Sequence, residues 1–134
     1  MNLEKMVCSL DLAKRLKELG VKQESYFYWT VCHDCTKEYG HEEYSLQEGV
    51  GHGENYSAFL SCELDELLPD CNYAQSASGS DRPLLMSKVD GIYCVGIYNP
   101  NGSIFPRFAD PNPANARAMM LLYLYENKII EVPK

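Results

Sequence analysis

Apolar residues recur at helical spacing at Leu12, Ala13, Leu16 and Leu19, while Lys14, Arg15, Lys17 and Glu18 fill the other side, which predicts a helix over residues 10–19. Ser9 stands where a hydroxyl caps the first turn, and Asp11 complements the helix dipole there. Gly20 supplies the left-handed residue past the end, and Val21 follows where an apolar side chain packs back onto Leu16. From residue 25 the period changes to two. Phe27, Trp29 and Val31 fall on one face of a strand over 25–32, and Tyr26, Tyr28 and Thr30 on the other, so the fully apolar face is expected to be buried. Residues 33–55 are polar and punctuated by Gly40, Gly49, Gly51 and Gly53, the pattern of a long acidic loop or hairpin insertion in which only Glu43–Gln47 suggests a return strand. A short helix over 61–68 follows, with Leu64, Leu67 and Leu68 apolar and Pro69 closing it.

The second half is patterned more sharply. Apolar segments 84–89 and 92–98 flank Asp90-Gly91, the dipeptide suited to a two-residue hairpin with both residues at positive φ. Asn99-Pro100-Asn101-Gly102 has the residue preferences of a type I turn closed by a left-handed glycine, so 103–109 is expected as a third strand. Asn112-Pro113 marks a helix start, and Ala114, Ala118, Leu121, Leu122 and Tyr125 repeat at helical spacing, giving a helix over 113–127. This order predicts an α+β fold in one domain, 1–134. Its antiparallel sheet combines the meander 84–89, 92–98 and 103–109 with strand 25–32, and helices 10–19, 61–68 and 113–127 pack mainly on one face.

Composition narrows the picture: of 134 residues, 46% are hydrophobic and 23% charged, the balance of a folded domain with its own core. The longest apolar run, Ala118–Tyr125, is too short to span a bilayer, and the start at Met1 lacks a secretory apolar stretch, so no membrane association and a cytoplasmic location are expected. Charge is regional. Residues 1–67 hold 6 basic and 13 acidic side chains, net -7, and residues 68–134 hold 6 of each. An acidic field of this kind repels phosphate backbones, which argues against direct nucleic-acid binding; it serves as a solvated face or as a site for a basic partner. Six cysteines without a secretory segment are read as reduced thiols, with Cys8, Cys62 and Cys94 as small core hydrophobes.

The blocks Ser9–Gln23 with Phe27–Trp29, Tyr56–Leu60 with Glu63–Pro69, and Asp110 followed by Ala116–Ile130 resemble a family of short phage and prophage-encoded accessory proteins. The likeness spans both ends of the chain and skips residues 33–55. Its blocks are helix caps and core positions, which specify a fold, and they bring no catalytic residue set with them. The resemblance implies a cytoplasmic accessory protein of a bacterial host cell, in a group where small proteins that sequester components of host defence are common.

Cys32, Cys35, His41 and His52 form the metal-ligating candidate, since two thiolates two residues apart can share one tetrahedral zinc with a nearby imidazole. A closed site needs four ligands and no second Cys-x-x-Cys follows, so a strand-end loop with free thiols is the preferred reading and no cofactor is expected. The same residues read as nucleophile and base fare worse, because acidic surroundings raise a thiol pKa. Gly49–Gly53 has the flexibility of a phosphate-cradling loop but is bracketed by Glu48 and Glu54 with no Lys, which favours a hinge. Ten of fifteen aromatic residues are Tyr, an interface-prone composition. Tyr26 and Tyr28, joined by Arg107 and by Arg82, are the expected ligand-binding residues, able to stack a nucleotide-like ring, form a homo-oligomer contact or pack under the long loop. The expected function is therefore a non-enzymatic accessory binding protein that acts in counter-defence by sequestering a nucleotide-like signal or a host protein. The alternatives are a metal-binding or thiol enzyme on the Cys32, Cys35, His41 and His52 loop, and an oligomeric structural phage component.

Overall fold

The computed structural model describes residues 3–32, 43–49, 55–68, 74–75, 81–82, 84–99 and 101–132. A single 3-10 turn, Leu3–Lys5, leads into α1 (Leu10–Glu18), β1 (Phe27–Cys32), β2 (Glu43–Glu48), β3 (Asn55–Ala58) and α2 (Ser61–Leu67). Two short strands, β4 (Ala74–Gln75) and β5 (Asp81–Arg82), precede the meander β6 (Leu84–Val89), β7 (Ile92–Tyr98) and β8 (Ile104–Asp110), and α3 (Pro113–Glu126) closes the order. The fold is α+β, as the pattern predicts, but the strands divide. β1 lies at the centre of one antiparallel sheet, β2-β1-β3, and the meander forms another, β6-β7-β8. The expectation that strand 25–32 joins the meander is corrected here: β2 and β3 occupy both edges of β1, Trp29 opposite Leu46 on one side and Tyr56 on the other, so no backbone edge is left for a third partner.

Local signals act where they are written. Ser9 caps α1 by accepting from the Leu12 amide at 3.4 Å. At the other end Gly20, at φ +93°, lets the Val21 and Gly20 amides donate to Leu16 O (3.1 Å) and Lys17 O (2.9 Å), the paired bonds of a Schellman motif, and both Val21 and Leu16 are buried. Asp90 and Gly91 both adopt positive φ, 52° and 79°, in a hairpin turn that pairs Val89 with Ile92. Gly102 donates to Asn99 O at 2.9 Å in the next turn. Asn112 caps α3 by accepting from the Ala114 amide at 2.9 Å, and its amide nitrogen donates to Val7 O at 2.7 Å, so the same side chain ties the N-terminal segment to the helix start.

The core gathers around α3. It packs on β7 and β8 with one side and on α1 and α2 with the other, and α1 packs in turn on β3. The helices thus contact both sheets, a correction to the one-faced arrangement expected from sequence. This placement explains why α3 buries Ala114, Ala116, Ala118, Met120, Leu121, Leu122, Leu124 and Tyr125 around most of its circumference, with no wide polar stripe. Trp29 packs against this core and its indole nitrogen donates to Cys8 O at 3.0 Å. Cys8 and Cys94 are buried, whereas Cys62 is exposed on α2, contrary to its expected core role.

No described helix is long and apolar enough to cross a membrane.

Candidate binding surface

The residues expected to bind a ligand are not brought together. Tyr28 is 7% exposed, with its hydroxyl donating to Gln23 O at 3.2 Å and accepting from the Ser25 amide at 3.3 Å. It shares a buried face with Thr30 and Ser57, and the Ser57 amide donates to Gln23 Oε1 at 2.8 Å. Period two groups Tyr28 with Thr30 correctly, yet it does not say which face is covered; Phe27 and Trp29, on the all-apolar face, are only half-buried. Tyr26 precedes β1, is 71% exposed, and donates its amide to Glu63 Oε2 at 3.2 Å. Arg107 lies on β8 of the other sheet, and Arg82 on β5, of which the backbone alone is described. The strand division places Arg107 on a different sheet from Tyr28. Of the metal candidates, Cys35, His41 and His52 lie outside the described residues, and only the backbone of Cys32 is within them. Of the glycine loop, residues 50–53 also lie outside.

A different surface assembles around Arg107. Alternation along the meander turns Leu84, Met86, Val95 and Ile97 toward α3 and leaves Leu85, Ser87 and Val89 on the outer face. Register sets Leu85 beside Gly96 and Gly96 beside Arg107, with Ser87, Cys94 and Ala109 in the next row and Val89 beside Ile92 at the hairpin end. A register shift between Gly96 and Tyr98 pairs Tyr98 with Ile104 and swings the Ile104 side chain across Gly96. Any Cβ at position 96 would collide with that side chain, so glycine is what lets the apolar residues close over the strand.

Among the described residues seven large apolar side chains are exposed, and five of them, Leu85, Val89, Tyr98, Ile104 and Phe105, belong to this sheet. Phe105 is 70% and Val89 60% exposed. Arg107 stands among them with Nη2 donating to Cys94 Sγ at 3.2 Å, and no carboxylate pairs with it among the described residues. The thiol contact raises the guanidinium pKa above its ordinary value, and an arginine is charged throughout the physiological range in any case. The sequence carried a signal for this surface. A meander with one wet face alternates apolar and polar positions, whereas 84–89, 92–98 and 103–109 are apolar on both.

Comparison of the chain with protein-family models, with curated proteins and with solved structures finds no match.

Proposed function

We propose that this chain is a non-enzymatic accessory binding protein, of the phage type that its helix and core blocks resemble, and that it acts by seating a host protein on the outer face of β6-β7-β8. The observation that carries this reading is the concentration of five exposed large apolar side chains on the one sheet that carries Arg107. Exposed large apolar side chains concentrated on one face cost solubility, and on a folded domain such a face commonly marks a protein interface. Arg107 defines the partner further: among the described residues its guanidinium has only the Cys94 thiol to bond, so a complementary surface offers apolar contacts beside one carboxylate.

This moves the expected site away from Tyr26 and Tyr28 while retaining Arg107, and it favours the host-protein branch over the nucleotide-like one, because the buried Tyr28 ring has no open face for a base. Self-association through the same face is an outcome that the experiment separates. The wild-type chain, Phe105→Glu and Arg107→Glu are each mixed with bacterial host lysate, recovered, and sized by light scattering. A host protein at one-to-one stoichiometry that is lost with both variants is the expected result, with Tyr26→Ala retaining it. Retention by both variants overturns the assignment of the surface, and a wild-type dimer that excludes lysate proteins overturns the host-protein reading.

A further inference from the structure

The other sheet carries a second cluster of unlike chemistry. α1 lays Lys14 and Lys17, one turn apart, over two tyrosine rings: Lys14 Nζ stands 4.8 Å from the centre of Tyr44 and 5.6 Å from that of Tyr56, and Lys17 Nζ 4.9 Å from Tyr56. The rings lie 6.2 Å apart at 52°. Lys17 Nζ also donates to Asn55 O at 3.1 Å. A cavity of about 270 Å³ opens beside them, lined by Lys14, Lys17, Glu18 and Tyr56.

The sign of this charge is opposite to that of its surroundings. Residues 1–67 hold 13 acidic and 6 basic side chains, yet here two ammonium groups converge on one ring, and neither has a carboxylate within ion-pair distance among the described residues. Tyrosine faces attract each cation and draw its stem toward the sheet, which favours this placement of the two ammonium groups without neutralising them. Each ammonium carries three donors, and a ring face plus one carbonyl leave several unused. Two neighbouring, incompletely satisfied cations beside a small concavity suit a compact dianion. Glu18, on the remaining wall, repels a bare anion and accepts from a hydroxyl.

We propose that this cavity binds a small phosphorylated molecule whose phosphate bridges Lys14 and Lys17 and whose neighbouring hydroxyl donates to Glu18, the chemistry of a sugar phosphate. The site is independent of the outer face of β6-β7-β8.

Amide shift mapping of the full chain, with ribose 5-phosphate, inorganic phosphate and ribose titrated separately at constant ionic strength, tests it. Ribose 5-phosphate is expected to saturate, with shifts confined to residues 14–18, 44 and 55–57, and ribose to do nothing. Lys14→Gln with Lys17→Gln weakens binding by at least about tenfold, since two charge-assisted bonds are lost, while Lys14→Arg with Lys17→Arg keeps it. Glu18→Gln strengthens inorganic phosphate and narrows its gap to the sugar phosphate. Shifts that fail to saturate, shifts spread equally over Lys22, Lys88 and Lys128, or unchanged binding by the double glutamine variant overturn the site. Equal binding of inorganic phosphate and ribose 5-phosphate by the wild type overturns the ligand class. Because the mapping is done on the wild type, the site is refutable even where a variant fails to fold.

Discussion

Alkaline pH should destabilise this protein through one buried thiol. Cys8 is fully buried, follows Val7 in the segment that lies against Phe59 and Leu60, and its backbone amide donates to Phe59 O at 2.9 Å. Burial pushes its pKa from 9.0 up to about 12, with backbone hydrogen bonds at Phe59 and at Cys8 itself opposing and the Glu63 carboxylate adding to the rise. Below pH 9 the thiol is protonated in both folded and unfolded chains and contributes nothing to pH dependence. Above it the unfolded chain releases the proton and the folded chain keeps it, so the unfolded state binds fewer protons and stability falls as pH rises. Each pH unit costs about 1.4 kcal/mol, and the window from 9 to the folded value amounts to about 4 kcal/mol. Urea unfolding followed by the fluorescence of Trp29, the single tryptophan, reads this directly at pH 8, 9, 10 and 10.5. Other groups titrate in the same range, so the informative quantity is the difference from Cys8→Ala. Below pH 9 that variant is offset downward by the methyl-sized void it leaves, about 1 kcal/mol, but its curve should be shallower above pH 9 by about 1.4 kcal/mol per unit, so the two curves cross at about pH 10. Parallel curves for the two proteins would refute the reasoning, because they would mean that the thiol ionises without unfolding the chain.

Tyr125 is 5% exposed and its hydroxyl has no hydrogen-bond partner among the described residues, a burial that also raises its pKa. Tyr125→Phe removes an unsatisfied polar atom and is expected to raise stability by about 1 kcal/mol, or about 4 °C in melting temperature, as measured by thermal unfolding at pH 7; a loss of similar size contradicts it. Lys128 closes α3 at φ 56°, allowing Ile129 N to donate to Leu124 O at 2.9 Å in the same motif that Gly20 completes after α1. Lys128→Gly should therefore gain about 0.5 kcal/mol, whereas Lys128→Val should lose about 1 kcal/mol or more, and equal denaturant midpoints for the two variants would contradict the left-handed assignment.

What the sequence determined by itself is local. The caps at Ser9 and Asn112, the glycine stop at Gly20 with Val21 folding back, and the turn at Asp90-Gly91 each involve residues a few positions apart, so their physics is complete within a short window of chain. The α+β class follows from the order of such windows. Tertiary structure decided what depends on partners. β1 pairs with β2 and β3 and not with the meander, because backbone hydrogen bonds hold any strand and side-chain period does not name a neighbour. Period two puts Tyr28 with Thr30, but only the packing of the segment around Gln23 and Ser57 buries that face. α3 is apolar enough to be buried on most sides, and only its contacts with both α1 and α2 on one side and β7 and β8 on the other make use of that. The two proposed surfaces arise in the same way. Lys14 meets Tyr44 across 30 positions of chain, and Ile104 reaches over Gly96 through a register shift, because free energy is lowered by contacts between elements whose sequence separation leaves no mark in either element alone.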